Sequence, residues 1–220
     1  VVGGAKSAVE EFVISPQAQN ERQRLFANRK PEDQAPAEAR LSWEAEARET
    51  HVLPEGTTIT PASADGVAGL WVTPANPRPD AVILHLHGGG YIAGSAFIYR
   101  RFAAHTARAA RLPVFLPDYA LAPEHPFPAG LEDAMTAFTW LQKQGFDPSR
   151  TVLVGDSAGG GLALSLLLKL RETGAAMPGA VALVSPWTDL TVSSPSYQTL
   201  RDADPVISQH RLRVAGRVPV

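Results

Sequence analysis

The residues best placed to do chemistry are Gly155-Asp156-Ser157-Ala158-Gly159, a serine set between two glycines. The apolar run Thr151-Val152-Leu153-Val154 before it reads as a buried strand. Gly159 to Leu170 after it reads as a helix with Leu162, Leu166 and Leu170 on one face. A Gly-x-Ser-x-Gly turn between a strand and a helix is a nucleophile elbow. The turn is tight enough to force the serine into a strained backbone conformation, and only small neighbours avoid clashing with it. The strain lifts the hydroxyl clear of the sheet, and the Ala158 N–H lies at a helix N-terminus, where negative charge is favoured. That combination suits acyl transfer.

A second element precedes it. His87-Gly88-Gly89-Gly90-Tyr91 follows the apolar run Ala81 to Leu86, and three glycines in succession free the backbone to turn N–H groups toward one point. Opposite a nucleophilic serine, that point is where a tetrahedral oxyanion forms. Gly88, Gly89 and Gly90 together with Ala158 are therefore the candidate oxyanion-hole donors. A phosphate-binding loop is the rival reading, but it would end in Gly-Lys-Ser/Thr, which this loop lacks.

The elements that must position these two loops alternate along the chain. Thr57 to Thr60 and Val67 to Thr73, joined through Asp65-Gly66, predict a hairpin. Ala81 to Leu86, Leu112 to Leu116, Thr151 to Val154 and Ala180 to Val184 predict buried strands. Tyr99 to Ala110, Leu131 to Gln144 and the elbow helix fall between them. This order predicts an α/β fold with a mostly parallel sheet and helices on both faces. Residues 1–45 are polar and helix-prone, with breaks expected at Pro16, Pro31 and Pro36. The expected organisation is a cap segment over 1–45, a core over 46–200 and a tail or second cap segment over 201–220.

The bulk composition excludes several classes. At 220 residues and 45% hydrophobic, the chain is large enough for one well-cored domain. A net charge of −2 gives no footprint for nucleic acid or an anionic membrane surface. The absence of cysteine excludes disulfides, thiolate metal sites and a cysteine nucleophile. No apolar run approaches a membrane span and no signal pattern opens the chain, so a cytoplasmic protein is expected. The start at Val1-Val2 is expected to reflect processing, trimming or a partial N-terminus. No metal or organic cofactor is implied.

Four stretches together resemble the hormone-sensitive-lipase-like family of α/β-hydrolase esterases: His87 to Tyr91, Asp118 to Pro126, Gly155 to Gly160 and Ser185 to Leu190. The resemblance runs from about Gly66 to Pro205. It implies the α/β-hydrolase fold with an N-terminal helical cap, Ser157 as nucleophile, and Gly89 and Gly90 with Ala158, and Gly88 as a further candidate, as oxyanion donors. The Asp118 to Pro126 stretch reads as architectural, fixing a loop beside the elbow.

A serine hydroxyl needs a general base, and in α/β-hydrolases the acid and the histidine follow the serine in sequence. By the resemblance they belong on loops after two further strands, and no Asp or His occupies an equivalent place here. Of the six histidines, His87 is expected to bond backbone within the glycine loop. His125 belongs to the proline loop, His85 to the core, and His51 and His105 to the surface. His210 alone follows Ser157, with Asp189, Asp202 and Asp204 as conceivable orienters. It is a weak candidate base, and an exposed polar residue is the plainer reading.

The strand at Ala180 to Val184 is expected to be an unpaired sheet edge. Residues beyond Val220, a complementary polypeptide, or a second copy pairing along that edge would cover it, the first being the favoured expectation. The function expected is hydrolysis of small short- or medium-chain carboxylic esters through an acyl-enzyme. The alternatives are a non-catalytic ligand-binding relative and a truncated inactive fragment with an arginine-rich ending.

Overall fold

The computed structural model describes residues 15–28, 34–49, 52–200, 202–210 and 212–213. His51 and Pro31 lie outside the described residues, as do the first 14 residues of the expected cap and the end of the arginine-rich tail.

Two helices come first, α1 (Pro16–Ala27) and α2 (Pro36–Glu49). The expected breaks at Pro16 and Pro36 are helix starts. Proline tolerates the first helical position because its missing N–H has no intrahelical partner there. α2 runs to Glu49, four residues past the boundary expected at residue 45.

The sheet then assembles in the order β1-β2-β4-β3-β5-β6. The antiparallel hairpin β1 (Thr58–Ala64) and β2 (Val67–Thr73) pairs onto β4 (Val114–Pro117). β3 (Val82–Leu86) lies between β4 and β5 (Thr151–Asp156), parallel to both, and β6 (Ala180–Val184) lies parallel beyond β5. This is the mostly parallel sheet that the alternating pattern predicts, and it has the mixed form that the family resemblance implies.

Strand alternation divides the core. Leu84, Leu86, Phe115 and Leu153 face α4 (Ala129–Lys143) and α5 (Ser157–Glu172), packing with Phe138, Leu141, Leu162 and Leu166. Ile83, Val114, Leu116 and Val154 face α3 (Ala96–Ala110) on the other side. That helix presents Ala103, Ala104 and Ala107, all fully buried, so its backbone lies close to the sheet. Burial on both faces explains why β3 and β4 read as continuous apolar runs.

The expectation of a buried strand fails at β6. Four of its five residues are exposed and Leu183 is half-buried, with Val184 51% exposed. Its apolar composition suits a central strand, yet it is the sheet's edge, paired to β5 alone among the described residues.

Candidate active site

The site forms where β3 and β5 leave the sheet side by side. Their parallel register runs from Val82 opposite Thr151 to Leu86 opposite Gly155. Beyond that last pair, one chain enters the glycine loop and the other the elbow.

Ser157 has φ +51°, a left-handed conformation that L-residues other than Asn, Asp and Gly seldom adopt. The strain predicted from the motif is therefore present at the serine itself. Ser157 is half-buried and opens α5, and Ala158 behind it is fully buried. Gly159 fits because it lacks a side chain: a Cβ there would collide with the carbonyl oxygens of Leu86 and His87. The elbow and the end of β3 are thus in direct backbone contact. Trp187 closes the other flank, its N–H donating to the Ser157 carbonyl at 2.8 Å and its indole N–H to the Asp189 carbonyl at 2.9 Å.

The glycine loop turns sharply. Gly89 has φ +131° and Gly90 φ +64°, and the Gly89 carbonyl accepts from the Ile92 and Ala93 N–H groups at 3.2 and 2.9 Å. A Cβ on Gly89 would run into the Ala93 carbonyl. No hydrogen bond among the described residues uses the N–H of Gly89 or Gly90. Gly88 differs: its N–H donates to Asp156 Oδ1 at 3.1 Å. That engagement sets Gly88 apart from the other candidate donors in the loop.

Behind the loop lies a buried cluster that the sequence reading did not assemble. Asp156 accepts from Gly88 through Oδ1 and from the Tyr99 hydroxyl through Oδ2 at 2.8 Å, and His85 Nε2 stands 3.5 Å from Oδ1. Burial would raise the Asp156 pKa, but contacts with His85, Tyr99 and Gly88 outweigh it and hold the carboxyl below its ordinary value. The same carboxylate, together with burial as the larger cause, pushes the Tyr99 phenol up. His87 is fully buried, with Nδ1 2.8 Å from the Gly88 carbonyl and its ring stacked on Tyr119 at 4.3 Å. Burial is the main cause that lowers its pKa to about 4, so the ring is neutral and its Nδ1–H serves as donor. The Tyr119 hydroxyl donates to the His87 carbonyl at 2.6 Å. His87 therefore braces the loop, as its position in the sequence implies.

Arg40 of α2 reaches the same region. Its guanidinium donates to the carbonyls of Ile92 at 2.7 Å and Ala122 at 2.8 Å, and pairs with Glu124 at 2.8 Å. Asp118 accepts from the Ala96 N–H at the start of α3 at 2.5 Å. The Asp118 to Pro126 stretch is thus tied on both sides, which fits its architectural reading. A cavity of about 260 Å³ opens next to it, lined by Tyr91, Ala122, His125, Phe127, Leu162 and Leu190 among others.

The base is not assembled from the residues the sequence offered. His210 is exposed, and no hydrogen bond or ion pair among the described residues joins it to Ser157. Asp189 accepts from the N–H and hydroxyl groups of Thr191 and Ser193 at 2.5–3.0 Å, which brings its pKa down to about 2. Asp204 accepts from the N–H groups of Val206 and Ile207 at 2.8 Å. Both carboxylates close their own turns and neither orients His210. His105 and His125 are exposed and His85 is buried. Among the described residues no group of three or more His, Asp or Glu is arranged to hold a metal.

The strained serine, the adjoining glycine loop and the mixed sheet define a hydrolase-type elbow on an α/β scaffold. Comparison with known proteins narrows this. Residues 83–218 match the family described as alpha/beta hydrolase fold. An acetyl-hydrolase of Streptomyces hygroscopicus is 39% identical over 143 residues, covering 65% of this chain and 48% of that protein. Hormone-sensitive lipase of Mus musculus is 34% identical over 135 residues, covering 60% of this chain and 18% of that protein. A solved esterase of the bacterial hormone-sensitive lipase family superposes with a TM-score of 0.88 at 34% identity, over 94% of this chain and 69% of that one. The chain belongs to the α/β-hydrolase fold family, in its hormone-sensitive-lipase-like branch. It spans about half the length of the curated bacterial relatives it matches.

Proposed function

We propose that this sequence carries the nucleophile half of a carboxylic-ester hydrolase acting on small esters of short or medium acyl chain. The supporting observation is Ser157 at φ +51° at the head of α5, with Gly159 two residues on packed against the backbone at the end of β3. Ser157 Oγ attacks the ester carbonyl carbon while its proton passes to a general base. The carbonyl oxygen becomes an oxyanion received by the N–H groups of Gly89, Gly90 and Ala158. Collapse of the tetrahedral intermediate breaks the bond to the alkoxy oxygen, which takes up the base's proton and leaves as the alcohol. Water then attacks the acyl-serine and releases the acid. Acetyl-hydrolase and esterase relatives support the reaction class, and the cavity beside Tyr91 and Leu162 has the volume for a short chain.

The base and its orienting acid follow the serine in α/β-hydrolases. The solved esterase has 31% of its length without a counterpart here, since this chain covers 69% of it. Turnover is accordingly a property of the complete catalytic set. The free state of the Ser157 hydroxyl, which takes part in no hydrogen bond among the described residues, also fits a ligand-binding relative without turnover. Hydrolysis of 4-nitrophenyl acetate separates the two. An esterase turns it over and loses that activity in Ser157→Ala, whereas a binding relative shows no serine-dependent turnover.

A further inference from the structure

We infer that Asp156 is a positioning residue whose carboxylate holds the glycine loop in register with the nucleophile elbow, an inference that rests on the proposed role of Ser157. Three observations converge on it. The first is the ladder. β3 and β5 exchange backbone bonds up to Leu86 and Gly155, and then β5 turns away at Ser157. Two residues past the last pair, the Gly88 N–H meets the Asp156 side chain at 3.1 Å. A carboxylate oxygen thus replaces the backbone acceptor that the next rung would have supplied, and a charged acceptor makes the stronger bond.

The second is the space around Gly88. A Cβ there would run into Asp156 Oδ2 and stand 2.8 Å from the Tyr99 hydroxyl oxygen. The first glycine of the loop therefore makes room for the carboxylate and the phenol that holds it. The third is what Asp156 does not do. It occupies the N-cap position of α5, where aspartate ordinarily accepts from the helix's own first turn, yet its side chain makes no capping bond. It reaches across to β3 and α3 instead, with Tyr99 on Oδ2 and His85 Nε2 near Oδ1. Gly88 directly precedes the two proposed oxyanion donors, so a rotation at Gly88 displaces both. A displacement on the order of 1 Å costs about 100-fold in rate.

The test compares the wild type with Asp156→Ala, Asp156→Asn and Tyr99→Phe in the full-length protein. Two readouts are taken: kcat and KM for 4-nitrophenyl acetate, and the backbone amide resonances of Gly88, Gly89 and Gly90 in ¹⁵N-labelled protein. In Asp156→Ala, kcat falls about 100-fold, KM changes little, and the Gly88 amide proton moves upfield. Asp156→Asn keeps an acceptor of the same shape and recovers most of the lost kcat and the Gly88 shift. Should Asp156→Ala fail to fold, Tyr99→Phe and Asp156→Asn still report: moderate kcat losses with KM held are expected in both. Equal changes in kcat and KM, no recovery by Asn, or an unmoved Gly88 amide would overturn the assignment. If the wild type shows no turnover at all, the esterase reading fails, and the amide resonances alone decide whether Asp156 holds the loop.

Discussion

His87 makes stability depend on pH in a calculable way. Its ring is fully buried between the Gly88 carbonyl and Tyr119, and burial lowers its pKa from 6.5 to about 4. In the unfolded chain it takes up a proton below pH 6.5, while the folded protein refuses one until about pH 4. The unfolded state thus binds more protons throughout that window, so stability is full above pH 6.5 and declines as pH falls toward 4. By pH 4.5 the loss amounts to about 2.5 kcal/mol, taking about 1.36 kcal/mol per pKa unit. The assay is urea unfolding of the wild type and of His87→Gln between pH 7.5 and 4.5. The variant loses the stacking and starts less stable at pH 7.5. It also lacks the titration, so the gap between the two proteins narrows by about 2.5 kcal/mol on acidification. A gap that stays constant with pH, or a His87 ring that titrates near 6.5 by NMR, would refute the reasoning.

Two other perturbations probe the frame of the site. Gly159→Ala places a Cβ against the Leu86 and His87 carbonyls; overpacking of this kind costs about 1–3 kcal/mol, which lowers the thermal midpoint by a few degrees, and an unchanged midpoint would contradict the backbone contact. Arg40→Ala removes the donors to the Ile92 and Ala122 carbonyls. Amide exchange in α2 should accelerate more than in α5, with a global loss of about 1–2 kcal/mol from those two bonds; unchanged exchange in α2 would show that Arg40 does not anchor it.

Much of this fold was legible because its signals are local. The Asp65-Gly66 turn announced the β1–β2 hairpin, and the doubly buried β3 and β4 appeared as unbroken apolar runs. The strain at Ser157 followed from a five-residue pattern. What escaped the sequence depends on distant neighbours. The apolar run at Ala180 to Val184 reads as a buried strand, and the exposure of four of its five residues depends on what lies beside it in space. Three consecutive glycines look equivalent until a carboxylate 68 residues away takes the N–H of one of them. The second position of Gly-x-Ser-x-Gly is unconstrained by the pattern, so nothing marked Asp156. Arg40 gave no signal because its partners lie 52 to 84 residues along the chain. The order of triad residues did carry weight: it singled out His210 as the one histidine after Ser157, and with order as its only support His210 remained a weak candidate base.

The central claim is that Ser157 is an activated nucleophile. Reaction of the full-length protein with a fluorophosphonate, followed by peptide mass mapping, tests it most directly. The account predicts rapid addition of one phosphonyl group on the peptide that carries Ser157, and none on that peptide in Ser157→Ala. A folded protein that takes up no label, or takes it up at another residue, would contradict it.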